Sequence, residues 1–278
     1  MTKLPQGENH WLAPARLVCT TRAGGVSQGV YAANNLGLHV EDDADFVLRN
    51  REQLLEYKEL LNAKWLNQVH GTRVLRRGSA DAFESAEPLG PTGDAMFTTE
   101  PGVGLAILTA DCLPVVLVDK QGELVAAAHA GWRGLCAGVL TELLAALPVP
   151  NKRLRAFIGP AIGQAAFQVG PEVVAALDSY GLDLGAISAP STDPLGAVIA
   201  DKYQVDLAVA ATLDLNRAGV TEVSGGHWCT YSDERFYSFR RETHQTLTLG
   251  ATQSGTTQPG TGPATGRQAT LVWLPASR

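Results

Sequence analysis

Two unbroken apolar runs, Gly104 to Leu108 and Val115 to Val118, have the pattern of strands buried on both faces. They flank a polar corner at Asp111-Cys112. Leu124 to Ala128 predicts a further strand that ends at His129, and a Gly-rich turn leads from it into a helix over about Leu135 to Leu147. From Asp43 to Leu61 the apolar residues Phe46, Val47, Leu54, Leu55 and Leu61 recur at helical spacing. Short strands are predicted at Leu17 to Thr21, at Trp65 to Leu75 with His70 on it, at Arg155 to Ile158, and near Val220, Phe236 and Leu271. Helices are predicted at Pro171 to Leu177 and Tyr203 to Ala218. Hairpins and helices alternate irregularly, which favours an α+β fold over a doubly wound parallel sheet.

Thr243 to Ala264 breaks the pattern. Its Thr, Gly, Gln and Pro content offers too little apolar surface to offset the entropy of ordering. It reads as a mobile surface loop rather than a linker, because a strand-like Gln268 to Leu274 must return to the core. The 278 residues are therefore expected to form one domain, 1–278, carrying that loop at 243–264.

Net charge is −6, which argues against a general nucleic-acid binder. Of 22 basic residues 16 are Arg, a residue suited to bidentate anion recognition. Met1 to Arg16 has no apolar core of a secretory signal, and Asp111 interrupts the most apolar stretch, Val103 to Val118. Cysteines 19, 112, 136 and 229 form no CxxC pair and suggest no disulfide framework. A soluble protein of the bacterial cytoplasm, a reducing compartment, is expected.

Three separated segments each present a metal ligand among small residues: Asn67 to Gly71 with His70, Thr109 to Pro114 with Cys112, and Ala128 to Gly134 with His129. Two imidazoles and a thiolate suit zinc, and three protein ligands leave the fourth position open, as in catalytic zinc sites. The same residues also permit a different chemistry, with Cys112 as a nucleophile activated by His129 or His70. Asp111 could orient a histidine or carry a proton, or simply close a hydrogen-bonded corner. Arg22 in the Gly24-Gly25 turn, Arg240, Arg241 and Arg267 are candidate anion ligands. Arg240 and Arg241 would point to opposite sides if they lay on a strand. His39 is a candidate for the pocket edge. Trp132 more readily packs than stacks a base, and Cys19, Cys136 and Cys229 read as packing residues.

Seven stretches in order resemble the YfiH-type laccase-domain family: Thr21 to Ser27, Asn35 to Val40, Trp65 to Gly71, Leu108 to Pro114, Ala127 to Gly134, Ile158 to Gly163, and Phe236 to Arg241 with Thr265 to Arg267. Proteins of this family have been called polyphenol oxidases, zinc-dependent purine nucleoside phosphorylases and peptidoglycan editing factors. The resemblance implies an α+β mixed-sheet sandwich related to cysteine hydrolases of the cytotoxic-necrotizing-factor type. It also implies a catalytic and metal site at His70, Cys112 and His129. One departure is the 23 residues between Arg241 and Thr265, where the family passes within a few residues. A smaller one is Ala33-Asn34-Asn35, where a Ser-Leu-Asn type sequence is more usual.

Of the three reactions, the oxidase fits worst. A four-copper centre needs many histidines in His-X-His pairs, and this chain has six, at 10, 39, 70, 129, 227 and 244, with no such pair. Copper would enter only as an adventitious occupant of the zinc ligands. The resemblance instead implies phosphorolysis of adenosine, inosine or guanosine, with adenosine deamination as a second activity of the same open zinc position. The expected partners are a purine nucleoside and phosphate, with substrate contacts from Arg22, His39, Asp111, Arg240 and Arg267, no nucleic acid, no membrane and a monomeric state. The alternative is a hydrolase that edits muramyl peptides. A metal-binding regulatory module is a third class, but it has no need of Gly-rich turns around an open site.

Overall fold

The computed structural model describes residues 12–57, 59–80, 89–252 and 264–276. Two sheets stack face to face. The smaller has four strands in the order β1 (Arg16–Cys19), β13 (Gln268–Trp273), β5 (Val103–Thr109) and β2 (Asn62–Lys64). The larger has six, in the order β12 (Val223–Gly225), β8 (Leu154–Ile158), β6 (Leu113–Asp119), β7 (Val125–Ala130), β4 (Ala95–Thr98) and β3 (Val74–Arg76). Each sheet mixes parallel and antiparallel pairs: β2 runs parallel to β5, and β3 parallel to β4, while β6 and β7 are antiparallel. A third, three-stranded sheet joins β10 (Ser188–Thr192), β11 (Val198–Val205) and β9 (Gln168–Val169).

Side-chain alternation explains why the central strands read as continuous apolar runs. Val116 and Val118 of β6 and Val125 and Ala127 of β7 face Leu105, Ile107 and Val272 between the two sheets. The opposite face of the large sheet, with Val115, Leu117, Ala126 and Ala128, is covered by α3 (Val139–Ala146), α4 (Pro171–Ser179), α5 (Leu184–Ile187) and α6 (Leu207–Arg217). The outer face of the small sheet, with Ala106, Leu108, Ala269 and Leu271, packs under Leu36, Leu54 and Trp65 beside α1 (Ala44–Glu52). With both faces of both sheets covered, the central strands show no period-two alternation of apolar and polar residues. The α+β mixed-sheet expectation agrees with this architecture.

Several boundaries differ from the sequence reading. The helix predicted from Asp43 to Leu61 is α1, capped by the Asp43 carboxylate on Asp45 N at 2.8 Å, followed by a 3-10 turn at Gln53–Glu56. The predicted helix at 135–147 splits into α2 (Trp132–Cys136) and α3, because Gly138 takes φ +90° between them. The helix predicted from Tyr203 starts only at Leu207, where Asp206 accepts from Val209 N at 2.9 Å; Tyr203 belongs to β11. No strand contains Phe236. His70 lies not on a strand but in a loop between β2 and β3. Residues 243–252 are helical, within α7 (Phe239–Thr252), so the loop reading fails there; 253–263 lie outside the described residues. Polar threonines at 243 and 246 bond back to the carbonyls of Phe239 and Glu242, at 2.7 and 2.8 Å, and so cost the helix little.

Candidate metal centre and cavity

The β6–β7 pairing builds two thirds of the site. Pro114 lies opposite His129 and Leu113 opposite Ala130, so Cys112, just before β6, and His129, near the end of β7, share one end of the large sheet. His70 arrives from the loop with φ +60°, a left-handed conformation uncommon for a side chain other than Gly, Asn or Asp. Asp94, fully buried just before β4, holds that loop. Its carboxylate accepts from the backbone N–H of Val69 at 3.2 Å, His70 at 2.9 Å and Gly71 at 2.7 Å. It also accepts from His129 Nδ1 at 2.9 Å, while its main-chain oxygen accepts from His129 N at 2.7 Å. One aspartate thus sets the positions of both histidines.

The donor atoms of His70, Cys112 and His129 all lie within 4.8 Å of one another. Among the described residues this is the one such cluster of three or more His, Cys, Asp or Glu. Cys112 Sγ and His70 Nε2 are 3.6 Å apart. Two ligands at zinc–sulfur and zinc–nitrogen bond lengths in a tetrahedron sit roughly 3.5 Å apart, so this pair already has the required spacing. With Nδ1 committed to Asp94, His129 has Nε2 left for an ion, the tautomer control that metal-binding histidines use. Gly131 completes the fit: a Cβ there would stand 2.8 Å from His70 Cδ2 and 3.0 Å from Cys112 Sγ. The residues present suit a metal of the zinc or copper kind.

Electrostatics agree. Burial pushes the Cys112 thiol up, but the His129 charge and hydrogen bonds from His129 and His70 outweigh it and bring it below its ordinary value. Burial pushes His129 down, but the Cys112 charge and the Asp94 hydrogen bond hold it up. A thiolate is thereby favoured, and thiolate is the form that binds metal.

A cavity of about 440 Å³ opens over the cluster, within the range of small-molecule sites. His39, Asp111, Arg240 and Arg267 line it beside the three ligands, so four of the five predicted substrate residues come together. His39 is pushed down to about 4, by burial first and then by the charges of Arg267, Arg51 and His129, and is neutral at physiological pH. Arg267 is fixed by Nη1 to the carbonyls of Thr265 and Gly266 at 2.9 and 3.1 Å.

Arg22 stands apart from the others, and Asp111 and Arg241 take structural partners. Arg22 is absent from the lining: Nε donates to the Ala32 carbonyl at 3.0 Å and the guanidinium lies over the Tyr237 ring at 5.1 Å. The adjacent Gly25 serves packing against the backbone of Ala33 and Asn34, not ligand approach. Asp111 lines the cavity, yet neither orients a histidine nor has a free carboxylate. Its oxygens accept from Thr230 Oγ1 at 2.6 Å and Arg240 N at 2.7 Å. Arg240 and Arg241 lie on α7, not on a strand, and they part by helical rotation. Arg240 faces the cavity, while Arg241 Nη1 ties down the carbonyls of Thr230 and Tyr231 at 2.8 and 3.0 Å.

Residues that the sequence reading missed include Asp94, Gln68, Arg133 and Phe239. Gln68 bonds both ways with the Leu108 backbone, at 2.8 Å each, and extends the edge of β5 toward the site. Phe239, 45% exposed, joins Phe167, Trp132 and Ile162 among the apolar residues of the lining. A signal for Asp94 was present in Gly93-Asp94 ahead of the apolar Ala95-Met96-Phe97, a lone carboxylate at the mouth of a buried strand.

Fold and site together define a class: a mixed α/β sandwich bearing one His-Cys-His candidate metal centre that opens onto a small-molecule cavity. The chain belongs to the family described as multi-copper polyphenol oxidoreductase laccase, whose model matches residues 16–275. It is 42% identical over 267 residues to the purine nucleoside phosphorylase PA4543 of Pseudomonas aeruginosa, covering 95% of this chain and 96% of that one. It is 38% identical over 258 residues to the purine nucleoside phosphorylase YfiH of Escherichia coli, covering 92% of each. Among solved structures it is similar to Neisseria meningitidis protein NMB0706, with TM-score 0.77, 38% identity and coverage of 95% and 96%. Among the described residues no helix is long and apolar enough to cross a membrane.

Proposed function

We propose that the protein is a metal-dependent purine nucleoside phosphorylase. The observation that carries this reading is the His70–Cys112–His129 cluster in the lining of a cavity that also presents aromatic and cationic side chains, in a chain so similar to proteins bearing that name. Six histidines without a His-X-His pair do not supply the ligands of a four-copper oxidase, so the family description is not carried over as an activity. Zinc is the proposed resident metal, with copper an adventitious occupant: N/S sites bind Cu²⁺ more tightly than Zn²⁺, but geometry and metal availability rather than raw affinity decide occupancy.

In phosphorolysis an oxygen of phosphate bonds to C1′ of the ribose as the C1′–N9 bond breaks. The electron pair leaves with the purine, which takes up the proton that the phosphate gives up. When bound, the ion supplies Lewis-acid polarisation of a reactant. Phe167, Phe239, Trp132 and Ile162 offer the base apolar surface. Neutral His39 can both donate to and accept from ribose hydroxyls, and Arg267 holds positive charge beside it. Asp94 acts as a positioning residue through His129 and the His70 loop. Asp111 takes part through Arg240 and Thr230 rather than through the substrate. Adenosine deamination is a secondary activity of the same cavity in this reading, and a soluble, cytoplasmic monomer its setting. We also read 1–278 as one domain, supported by the pairing of β1 with β13 from distant parts of the chain. A kinship with the cysteine-hydrolase sandwich is supported by the Cys112–His129 pair on adjacent strand ends.

A substrate screen on metal-quantified protein tests the reading. Hypoxanthine, guanine or adenine should be released from its nucleoside only when phosphate is present. Turnover of muramyl peptides with no such release would replace it with the editing hydrolase. Cys112→Ala should remove bound metal and turnover together; retained metal with lost turnover would make Cys112 a nucleophile.

A further inference from the structure

The metal cavity has an annex. A recess of about 240 Å³ adjoins it, and Trp132, Arg133, Phe167 and Arg240 belong to the walls of both. Three cationic side chains line the recess, Arg133, Lys202 and Arg240, against a single carboxylate, Glu172. Glu172 is folded back on Gly170, where a Cβ would run into its Oε2. Arg240 is braced by Nη1 on the carbonyls of Ala166 and Gln168 at 3.3 and 2.9 Å, which leaves its Nε and Nη2 to a ligand. Arg133 lies over the Trp132 ring at 4.4 Å and has no acidic partner among the described residues. Lys202 on β11 has none either. Three like charges around one concavity repel each other unless an anion occupies it. The main cavity shares Trp132 and Phe167 with the recess but adds the three candidate metal ligands, while Lys202 belongs to the recess lining.

We propose that this recess seats the inorganic phosphate that attacks the nucleoside, with Arg133, Lys202 and Arg240 as its cationic ligands. The inference rests on the phosphorolysis reading above and gives that reaction its second substrate site, in place of the Arg22 turn. Arginine forks suit two phosphate oxygens at once, and lysine adds a point charge to a third. Because two of the three cations also wall the metal cavity, a phosphate held here can present its free oxygen to a ribose bound next door. Holding both reactants in adjoining chambers is the positioning that makes such a displacement effectively intramolecular. The backbone at Gly170, ahead of α4, also lines the recess and carries no capping side chain.

Two measurements on the metal-loaded full chain test the assignment. The first is calorimetric binding of inorganic phosphate without nucleoside, for wild type, Lys202→Ala, Lys202→Arg and Arg133→Ala with Lys202→Ala. Lys202 and Arg133 are exposed, so these changes do not endanger folding. Phosphate affinity should fall about tenfold in Lys202→Ala, as expected for one lost charge-assisted contact. It should fall further in the double variant and return largely in Lys202→Arg. The second is steady-state kinetics, in which the phosphate KM should rise in parallel while the nucleoside KM moves less than about twofold. Wild-type phosphate affinity and KM in the double variant would overturn the proposal. Phosphate binding that weakens in the variants, with no phosphorolysis of any nucleoside, would support the recess as an oxyanion site and remove only the phosphorolysis reading.

Discussion

Asp94 grips His129 twice, accepting from its ring Nδ1 at 2.9 Å and, through its own main-chain oxygen, from its backbone N–H at 2.7 Å. The same carboxylate collects three amides of the loop that carries His70. Replacing it with Asn keeps the volume but loses the charge and turns one acceptor into a donor facing backbone N–H groups. Asp94→Asn should lower metal affinity about 10- to 100-fold, the usual effect of losing a histidine-orienting carboxylate. It should also cost about 1–3 kcal/mol of stability through unsatisfied buried amides. Competition against a chelator and urea unfolding measure the two effects. Unchanged metal affinity would show that the two histidines are ordered without it.

Gly131 gives a cleaner separation of metal from fold. Its backbone conformation, φ −60° and ψ 159°, suits any residue, so only space is at issue. Gly131→Ala should leave stability within about 1 kcal/mol of wild type. A Cβ 2.8 Å from His70 Cδ2 must displace that ring or Cys112 Sγ. Metal affinity should therefore drop about tenfold or more, read by the same competition assay.

Asp111 reaches across the sequence to cap α7. It accepts from Arg240 N at 2.7 Å, and Ser238 Oγ accepts from Arg241 N at 3.1 Å, so the first turn of the helix is satisfied by two separate side chains. Asp111→Ala should cost about 1–2 kcal/mol and loosen Phe239 and Arg240 at the cavity. The expected kinetic signature is a raised nucleoside KM with metal content intact. Loss of metal would show that the Asp111-Cys112 corner itself depends on the carboxylate.

Part of the acid sensitivity should trace to a pair outside the cavity lining. Asp119 is fully buried at the end of β6 and takes both Arg153 Nε at 2.8 Å and Nη2 at 2.6 Å. Burial pushes its carboxyl up, but Arg153 and the amide of Glu123 outweigh it and hold it below the ordinary value. A carboxyl depressed in the folded state stabilises at every pH above its unfolded value of about 3.9. That stability drains away as pH falls through the unfolded and then the folded value. Asp119→Asn should lower the urea midpoint at pH 7 and flatten its decline between roughly pH 5 and 3. A decline as steep as wild type would place the acid-labile carboxylates elsewhere.

The strands were legible where burial is two-sided: β5, β6, β7 and β8 fall on the apolar runs that predicted them. His70, Cys112 and His129 converge as their motifs implied. Elements whose residues are chosen by neighbours rather than by local pattern were not legible. β10 and β11 form a hairpin with Leu195 and Val198 in solvent, and without a buried face over most of its length β11 lacks the apolar run that marked the central strands, despite its Val, Ile and Tyr. The first turns of α7 depend on Asp111, some 129 residues away, and its Thr-rich sequence argues locally against a helix. Arg22 misled because its Gly-Gly turn is shaped by Asn50 and the 33–34 backbone, a contact that sequence spacing does not reveal. Asp94 was passed over because a lone carboxylate ahead of an apolar run is a weak signal; its role comes from four hydrogen bonds supplied by two distant segments.

The insertion of β13 between β1 and β5 ties mechanical integrity to chemistry. Its antiparallel register begins at Gln268 opposite Thr109, immediately after Arg267 at the cavity wall and near the Asp111-Cys112 corner. Withdrawing that one ribbon would strip β1 of its neighbour and pull a guanidinium out of the reaction chamber in a single movement. Any lesion that unzips this seam should therefore extinguish turnover before the rest of the molecule melts.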